Sequence, residues 1–362
     1  MSEQTVRAPQ TVTWKARERG DNEAPYLEVS DLQVQFPTAD GMVKAVQGLS
    51  YSLPLGRTLA IVGESGSGKS VSSMAVLGLH DRKTARISGS IKVGGTEIVG
   101  MSAPELQKYR GADAAMIFQD PQSSLHPYFT IGDQIMESYR AHHGVSKRKA
   151  KTRAIEMLGR VGIPNPARRV DNYPHEFSGG MRQRAMIAMA LVNDPKLLIA
   201  DEPTTALDVT VQAQILDLIS DLQRDFGSAV VFITHDLGVV AEIADDILVM
   251  YAGNAIEHGP VEKILGSPLH PYTWGLLESI PALSGEPTPL HPIPGTPPSL
   301  LAVPSGCAFH PRCEFRDRVP DDLCRTLKPD LVPRTADLGR ASRCHLKDPD
   351  RIFQDEITPR LP

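Results

Sequence analysis

Gly63-Glu64-Ser65-Gly66-Ser67-Gly68-Lys69-Ser70 follows the pattern G-x-x-x-x-G-K-[ST]. Before it, Thr58-Leu59-Ala60-Ile61-Val62 reads as a short buried strand, and after it Lys69 to Leu79 reads as a helix. Strand, glycine loop and helix in that order form a phosphate-binding loop. The glycines let successive N–H groups turn into one concavity at the positive end of the helix dipole. Lys69 then reaches the β- and γ-phosphates of a nucleoside triphosphate, and the Ser70 hydroxyl ligates Mg2+. The bland alternative is a glycine-rich turn with an incidental lysine. The flanking strand and helix argue against it.

The bulk numbers limit what surrounds this loop. A chain of 362 residues holds one large domain and a smaller one. A formal charge of −5 lacks the basic footprint of a general nucleic-acid binder, so no nucleic-acid partner is expected. No apolar run approaches the ~18 residues of a membrane span. The first 25 residues have no apolar signal core. Cytosolic residence follows as an expectation, with the four cysteines reduced or metal-bound rather than disulfide-paired.

Outward from the loop, residues 1–25 are polar and unpatterned and read as a disordered tail. Leu27, Val29, Leu32, Val34 and Phe36 lead into the turn at Thr38 to Gly41, and Met42 to Leu53 returns as the second arm of an antiparallel hairpin. Arg86 to Val99, with Gly94-Gly95 inside, reads as another hairpin in the same layer. Phe36 stands where an aromatic stacks on an adenine ring, although spacing alone fits a core residue equally well. Ala114 to Phe118 is a short strand running into Gln119. Helices are expected at Ile131–His142, Lys147–Val161 and Met181–Val192. Lys196 to Ala200 is an apolar strand ending in Asp201-Glu202, and Ala206 to Phe226 is an amphipathic helix with Val211, Ile215, Leu218 and Leu222 on one face. Ala229 to Ile233 is a buried strand ending in Thr234-His235. Strands alternating with helices, each strand ending in polar residues, predict a mostly parallel α/β sheet that binds ligand at that edge. After about Ser267 the character shifts. Prolines crowd Pro281 to Pro304, too stiff and donor-poor for a helix, and all four cysteines lie beyond.

Four features narrow the class. Asp201 can hold Mg2+ through water, while the adjacent Glu202 can orient or deprotonate an attacking water. Phe177-Ser178-Gly179-Gly180-Met181-Arg182-Gln183-Arg184 opens a long helix with a Ser-Gly-Gly turn, making a second anion-binding helix end. Two such ends in one chain suggest that the second serves a partner's nucleotide. Gln119 and His235 are polar side chains at the mouths of buried strands.

Together these residues resemble the nucleotide-binding subunit of an ABC transporter, over about residues 26–265. Ser178-Gly179-Gly180 matches the signature loop, with Phe177 where Leu is usual and Met181 where Gln is usual. Thr205-Ala206-Leu207-Asp208 is similar to the D-loop, Gln119 to the Q-loop, His235 to the switch histidine, and Phe36 to the adenine-stacking aromatic. Ser267-Pro268-Leu269-His270-Pro271-Tyr272-Thr273, followed by Ser305-Gly306-Cys307-Ala308-Phe309-His310-Pro311-Arg312-Cys313, resembles the C-terminal region of oligopeptide/dipeptide importer ATPases.

The resemblance implies a RecA-like P-loop core with an N-terminal antiparallel β subdomain, an inserted helical subdomain over about residues 125–190, and a small C-terminal region over residues 268–362. The ATPase domain then covers 26–267. It implies two subunits sandwiching two ATPs, the second ATPase being the same chain or a paralogue. The chain then lies at the cytoplasmic face of the cell membrane as a peripheral subunit, held there by two transmembrane permease subunits, with an extracytoplasmic peptide-binding protein as an indirect partner. Implied roles are Lys69 and residues 63–70 on the triphosphate, Ser70, Gln119 and Asp201 at Mg2+, Glu202 on the water and His235 at the γ-phosphate. Ser178, Gly179, Gly180 and Asp208 act at the partner's nucleotide. The function implied is peptide import, with nickel, short-sugar or glutathione import as alternatives. A soluble ABC ATPase of DNA repair or translation is a more distant reading, since long coiled insertions and a second core are missing.

Cys307, Cys313, Cys324 and Cys344 all fall in the last 56 residues, with 5, 10 and 19 residues between them. This spacing has neither the close pairs of zinc ribbons nor the run of bacterial ferredoxins, so it does not choose a metal. The resemblance leans to a [4Fe-4S] cluster, with zinc or unligated thiols as the alternatives. A segment with little apolar core of its own would take such a metal as its staple.

Overall fold

The computed structural model describes residues 24–205, 207–280, 291–333 and 339–361. The expected tail at 1–23, the first half of the proline run and Ala206 of the D-loop lie outside the described residues.

Two sheets carry the fold. In the first, β1 (Leu27–Thr38) pairs antiparallel with β2 (Gly41–Leu53) and with β4 (Arg86–Val93), which turns into the two-residue β5 (Thr96–Glu97). Alternating burial of Leu27, Val29, Leu32 and Val34 gives this sheet one core face, as the sequence pattern requires. Gly94 and Gly95 take φ values of +54° and +80°, which the tight β4–β5 turn demands.

The second sheet begins with β3 (Thr58–Val62), β6 (Ala114–Ile117), β7 (Leu197–Asp201), β8 (Ala229–Thr234) and β9 (Asp246–Tyr251). These run parallel in the order β9-β3-β8-β7-β6. β3, β6, β7 and β8 are buried along their whole length. That explains why they read as continuous apolar runs rather than alternating ones. Three antiparallel strands extend the sheet past β9: β10 (Asn254–Pro260), β12 (Ala341–Ser342) and β11 (Val332–Pro333).

Helices Ile131–His142, Lys147–Arg160 and Gly179–Leu191 fall within one turn of their expected bounds. Thr130, Ser146 and Ser178 cap them by accepting from the backbone N–H three residues on. Two expectations run long. The phosphate-loop helix ends at Val76, where Gly78 at φ +60° breaks it, and the helix after Glu202 starts only at Val209. Its buried face is Ile215, Leu216, Ile219 and Leu222, with Val211 and Leu218 only partly covered.

After residue 268 the structure departs most from expectation. The cysteine region is not poor in apolar core. Phe309, Phe315, Val319, Leu346, Phe353 and Ile357 are buried in one cluster with Val62, Ile247 and Val249 of the parallel sheet. Trp274 holds its centre, edge-on to Phe315 at 5.0 Å, with its indole N–H donating to the Pro268 carbonyl at 2.8 Å. Apolar packing against the parallel sheet therefore supplies the staple that a metal was expected to provide.

Candidate nucleotide-binding site

The ends of β3, β6, β7 and β8 meet at one edge, so residues from four distant stretches converge. Gly63 has φ +151°, and a Cβ there would lie 2.2 Å from the Met250 carbonyl oxygen of β9. Gly68 has φ +102° and would meet the Ala45 carbonyl at 2.4 Å. Only glycine fits either position, which ties the loop pattern to its packing on β2 and β9.

The buried Lys69 ammonium donates to the carbonyls of Gly63 at 2.7 Å and Glu64 at 3.0 Å. Burial lowers its pKa, while Glu202, Asp201 and Glu64 pull it back up. The Ser67 hydroxyl is buried without a hydrogen-bond partner among the described residues. Ser70 Oγ donates to Asp201 Oδ1 at 3.1 Å, and burial raises the Asp201 pKa against that bond. Two hard oxygens side by side below a glycine loop fit the donor set that Mg2+ takes.

Glu202 is the hub. Its Oε2 accepts from Gln119 Nε2 at 2.8 Å and from Thr205 Oγ1 at 2.9 Å. Its Oε1 faces His235 Nδ1 at 3.4 Å. Its own N–H donates to the Ile233 carbonyl at 2.9 Å, and its φ is +46°. Non-glycine residues hold that conformation at a cost of the order of 1–3 kcal/mol, and such strain gathers at working sites. The strand β7 thus ends by turning one carboxylate, 18% exposed, between Gln119 and His235.

Other candidates stand elsewhere. Phe36 packs its ring edge-on to His80 at 5.5 Å, half-buried. Ser178 and Gly179 are exposed, and among the described residues outside its own helix nothing lies within 4 Å of a Cβ on Gly179. Asp208 caps the helix from Val209 by accepting from the Val211 N–H at 3.0 Å. Gln183 of the signature helix donates to the Pro203 carbonyl, fixing that helix to the loop after Glu202.

The iron–sulfur expectation is not supported. Among the described residues no group of three or more His, Cys, Asp or Glu is arranged to hold a metal ion. The four cysteines form no disulfide; Cys324 and Cys344 are buried in the same apolar cluster, and Cys307 and Cys313 pack against it. Burial pushes Cys313 up to about 12 and Cys324 up to about 11, with the neighbouring Cys307 adding to both.

Three residues joined to this site carried no such role in the sequence reading. Thr205 bonds the Glu202 carboxylate. Tyr272 and Arg312 reach Glu64 from the C-terminal region. Thr205 had a signal, since it stands three residues after Glu202 in a turn. Tyr272 and Arg312 had none, because 208 and 248 residues separate them from Glu64.

A glycine loop at the end of a central parallel strand, an acid pair at the next strand but one, and a second Ser-Gly-Gly helix end define an ATP-binding cassette. The family "ABC transporter" matches residues 46–205, and "Oligopeptide/dipeptide transporter, C-terminal region" matches residues 256–319. The oligopeptide transport ATP-binding protein OppD of Haemophilus influenzae is 53% identical over 80% of this chain and 90% of its own length. OppD of Escherichia coli is 53% identical over 79% of this chain and 85% of its own. Among solved structures, the dimeric post-hydrolysis state of the ATP-binding cassette MJ0796 bound to ADP and Pi matches with a TM-score of 0.59 and 25% identity. It covers 65% of this chain and 98% of that one. The chain belongs to the ATP-binding proteins of the oligopeptide/dipeptide ABC transporters, and it is an ABC-type ATPase. Among the described residues no helix is long and apolar enough to cross a membrane.

Proposed function

We propose that this chain hydrolyses ATP to power import of peptides across the cytoplasmic membrane. It would act with a second ATPase subunit and two transmembrane permease subunits. The observation that carries the reading is the convergence of Gln119, Thr205 and His235 on Glu202, beside the Ser70–Asp201 pair. The peptide cargo rests on the relatives named oligopeptide transport ATP-binding proteins.

Catalysis of phosphoryl transfer is largely positioning and charge neutralisation. Lys69 exchanges its two loop carbonyls for the β- and γ-phosphates. Ser67 Oγ gains the partner it lacks. Ser70, Asp201 and Gln119 would hold Mg2+, which when bound would supply charge neutralisation at the triphosphate. Glu202 orients and deprotonates the attacking water, and His235 contacts the γ-phosphate. Phe36 turns its ring from His80 to the adenine. Ser178, Gly179 and Gly180 close over the partner's nucleotide with Asp208 at the same seam.

The helices between residues 125 and 191 form the inserted subdomain that passes this motion to the permease. Tyr128 and Phe129 are 83% and 53% exposed, an aromatic pair nine and ten residues after Gln119, and they support that docking role. The division at 26–267 and 268–362 follows the same reading, although the two parts share a core. The cysteine cluster has no step here. Anaerobic purification with iron and zinc analysis checks it, and about four irons per chain would restore the cluster. The proposal as a whole is tested by purifying the chain from membranes and assaying peptide uptake after its deletion. Loss of peptide uptake with co-purifying permease subunits supports it, and normal uptake contradicts it.

A further inference from the structure

Glu64, the second residue of the phosphate loop, is held from outside the ATPase motif. The Arg312 fork donates through Nη1 to Glu64 Oε2 at 2.6 Å and through Nη2 to Oε1 at 3.1 Å. The arginine side chain is only 6% exposed and the glutamate 27%. Arg312 is fixed in turn, its Nε donating to the Pro294 carbonyl at 2.7 Å and its guanidinium lying 5.9 Å from both the Tyr251 and Phe309 rings. The Glu64 backbone N–H donates to Tyr272 Oη at 2.8 Å. Tyr272 is fully buried and packs on Tyr251 at 4.7 Å and Phe309 at 5.4 Å. The carboxylate, which would repel an incoming triphosphate, and the backbone N–H of the same residue are thereby both committed. The carboxylate is neutralised by a bidentate partner, and the N–H points into the C-terminal region.

We infer that Arg312 and Tyr272 are positioning residues for nucleotide binding, which clamp Glu64 so that the affinity of the phosphate loop for ATP is set by the C-terminal region. The inference rests on residues 63–70 binding ATP and adds the region that tunes it. A carboxylate left unpaired beside the loop repels the triphosphate, and because both groups are partly shielded from water the repulsion is felt at short range. The deficit shrinks as salt screens it. The clamp does not touch Glu202, so its loss shifts affinity and not the chemical step.

The test is the dissociation constant for Mg-ATP of the purified full-length chain, measured by calorimetric titration, with turnover measured in the assembled transporter. Arg312→Gln is expected to weaken binding about tenfold at low salt, with kcat changed less than about twofold. Glu64→Gln added to Arg312→Gln recovers most of the loss, because the unopposed charge is gone. Tyr272→Phe, which strands the Glu64 N–H, weakens binding about threefold. A folded Arg312→Gln chain with wild-type affinity overturns the inference. So does a loss that Glu64→Gln fails to relieve, since Arg312 would then serve stability alone. If Arg312→Gln does not fold, Tyr272→Phe decides the matter, and unchanged affinity in it overturns the clamp. Wild-type chain that binds no Mg-ATP would defeat the nucleotide reading itself, an outcome distinct from all of these.

Discussion

The two helix ends that read as anion sites differ in what surrounds them. At the phosphate loop, glycines are forced by this chain's own backbone: Met250 and Ala45 leave no room for a Cβ at Gly63 and Gly68. Lysine, serine and acid groups close around it. At Ser178-Gly179-Gly180 the helix end is more open: among the described residues outside its own helix nothing lies within 4 Å of a Cβ on Gly179, while one on Gly180 would meet Val211 at 3.1 Å. One end is a finished half-site. The other leaves Ser178 and Gly179 exposed, which fits the proposed completion of that site by a second ATPase subunit.

Changes at the two ends should therefore act differently, and the largest effect lies on the finished side. Glu202→Gln keeps the hydrogen bonds from Gln119 and Thr205 within reach but removes the base. Turnover is expected to fall by ~10²–10⁴-fold, with Mg-ATP affinity within a few fold of wild type. Phosphate release by the assembled transporter checks this, and near-normal turnover would remove Glu202 from the role. On the open side, Ser178→Arg puts a long side chain where, on the proposed reading, the partner's nucleotide would dock. Turnover is expected to fall at least about tenfold while the chain's own ATP affinity is unchanged, because the substituted residue does not line its own phosphate loop. Equal losses of affinity and turnover would mean that the two ends belong to one site.

A smaller effect concerns how the C-terminal region is anchored. Glu257 on β10 is fully buried and accepts from the N–H groups of Leu269 and His270 and from the Thr273 hydroxyl, the residues around Tyr272. Burial pushes its pKa from 4.5 up to about 7 despite those bonds. The folded chain then holds a proton that the unfolded chain releases across that window. Stability contributed here is lost as pH rises from about 4.5 to about 7 and is flat above, amounting to on the order of 3 kcal/mol. Thermal melts of Glu257→Gln should lose that slope. A variant whose melting temperature tracks the wild type across the window contradicts the assignment.

Much of the nucleotide side was legible because its chemistry dictates residue types locally. The loop needs glycines at fixed spacing, buried parallel strands need apolar runs, and the acids stand at a strand end. Bounds slipped where a backbone break was silent in the pattern, as at Gly78 and before Val209. The C-terminal region was misjudged for a different reason. Its apolar residues show no helical or strand period, since they sit in short turns that bury Phe309, Phe315 and Phe353 against strands far away in sequence. Cysteine clustering was visible, but convergence of thiols into a ligand set is a matter of three-dimensional geometry that spacing does not carry.

The open signature end makes the most direct test a kinetic one. ATP hydrolysis per chain should be measured against protein concentration for the purified full-length chain, with its association state followed by sedimentation, and again after adding the permease subunits and a second ATPase. The account predicts negligible turnover from the monomer, rising with association and assembly. Full turnover from a demonstrated monomer, independent of concentration, would contradict it.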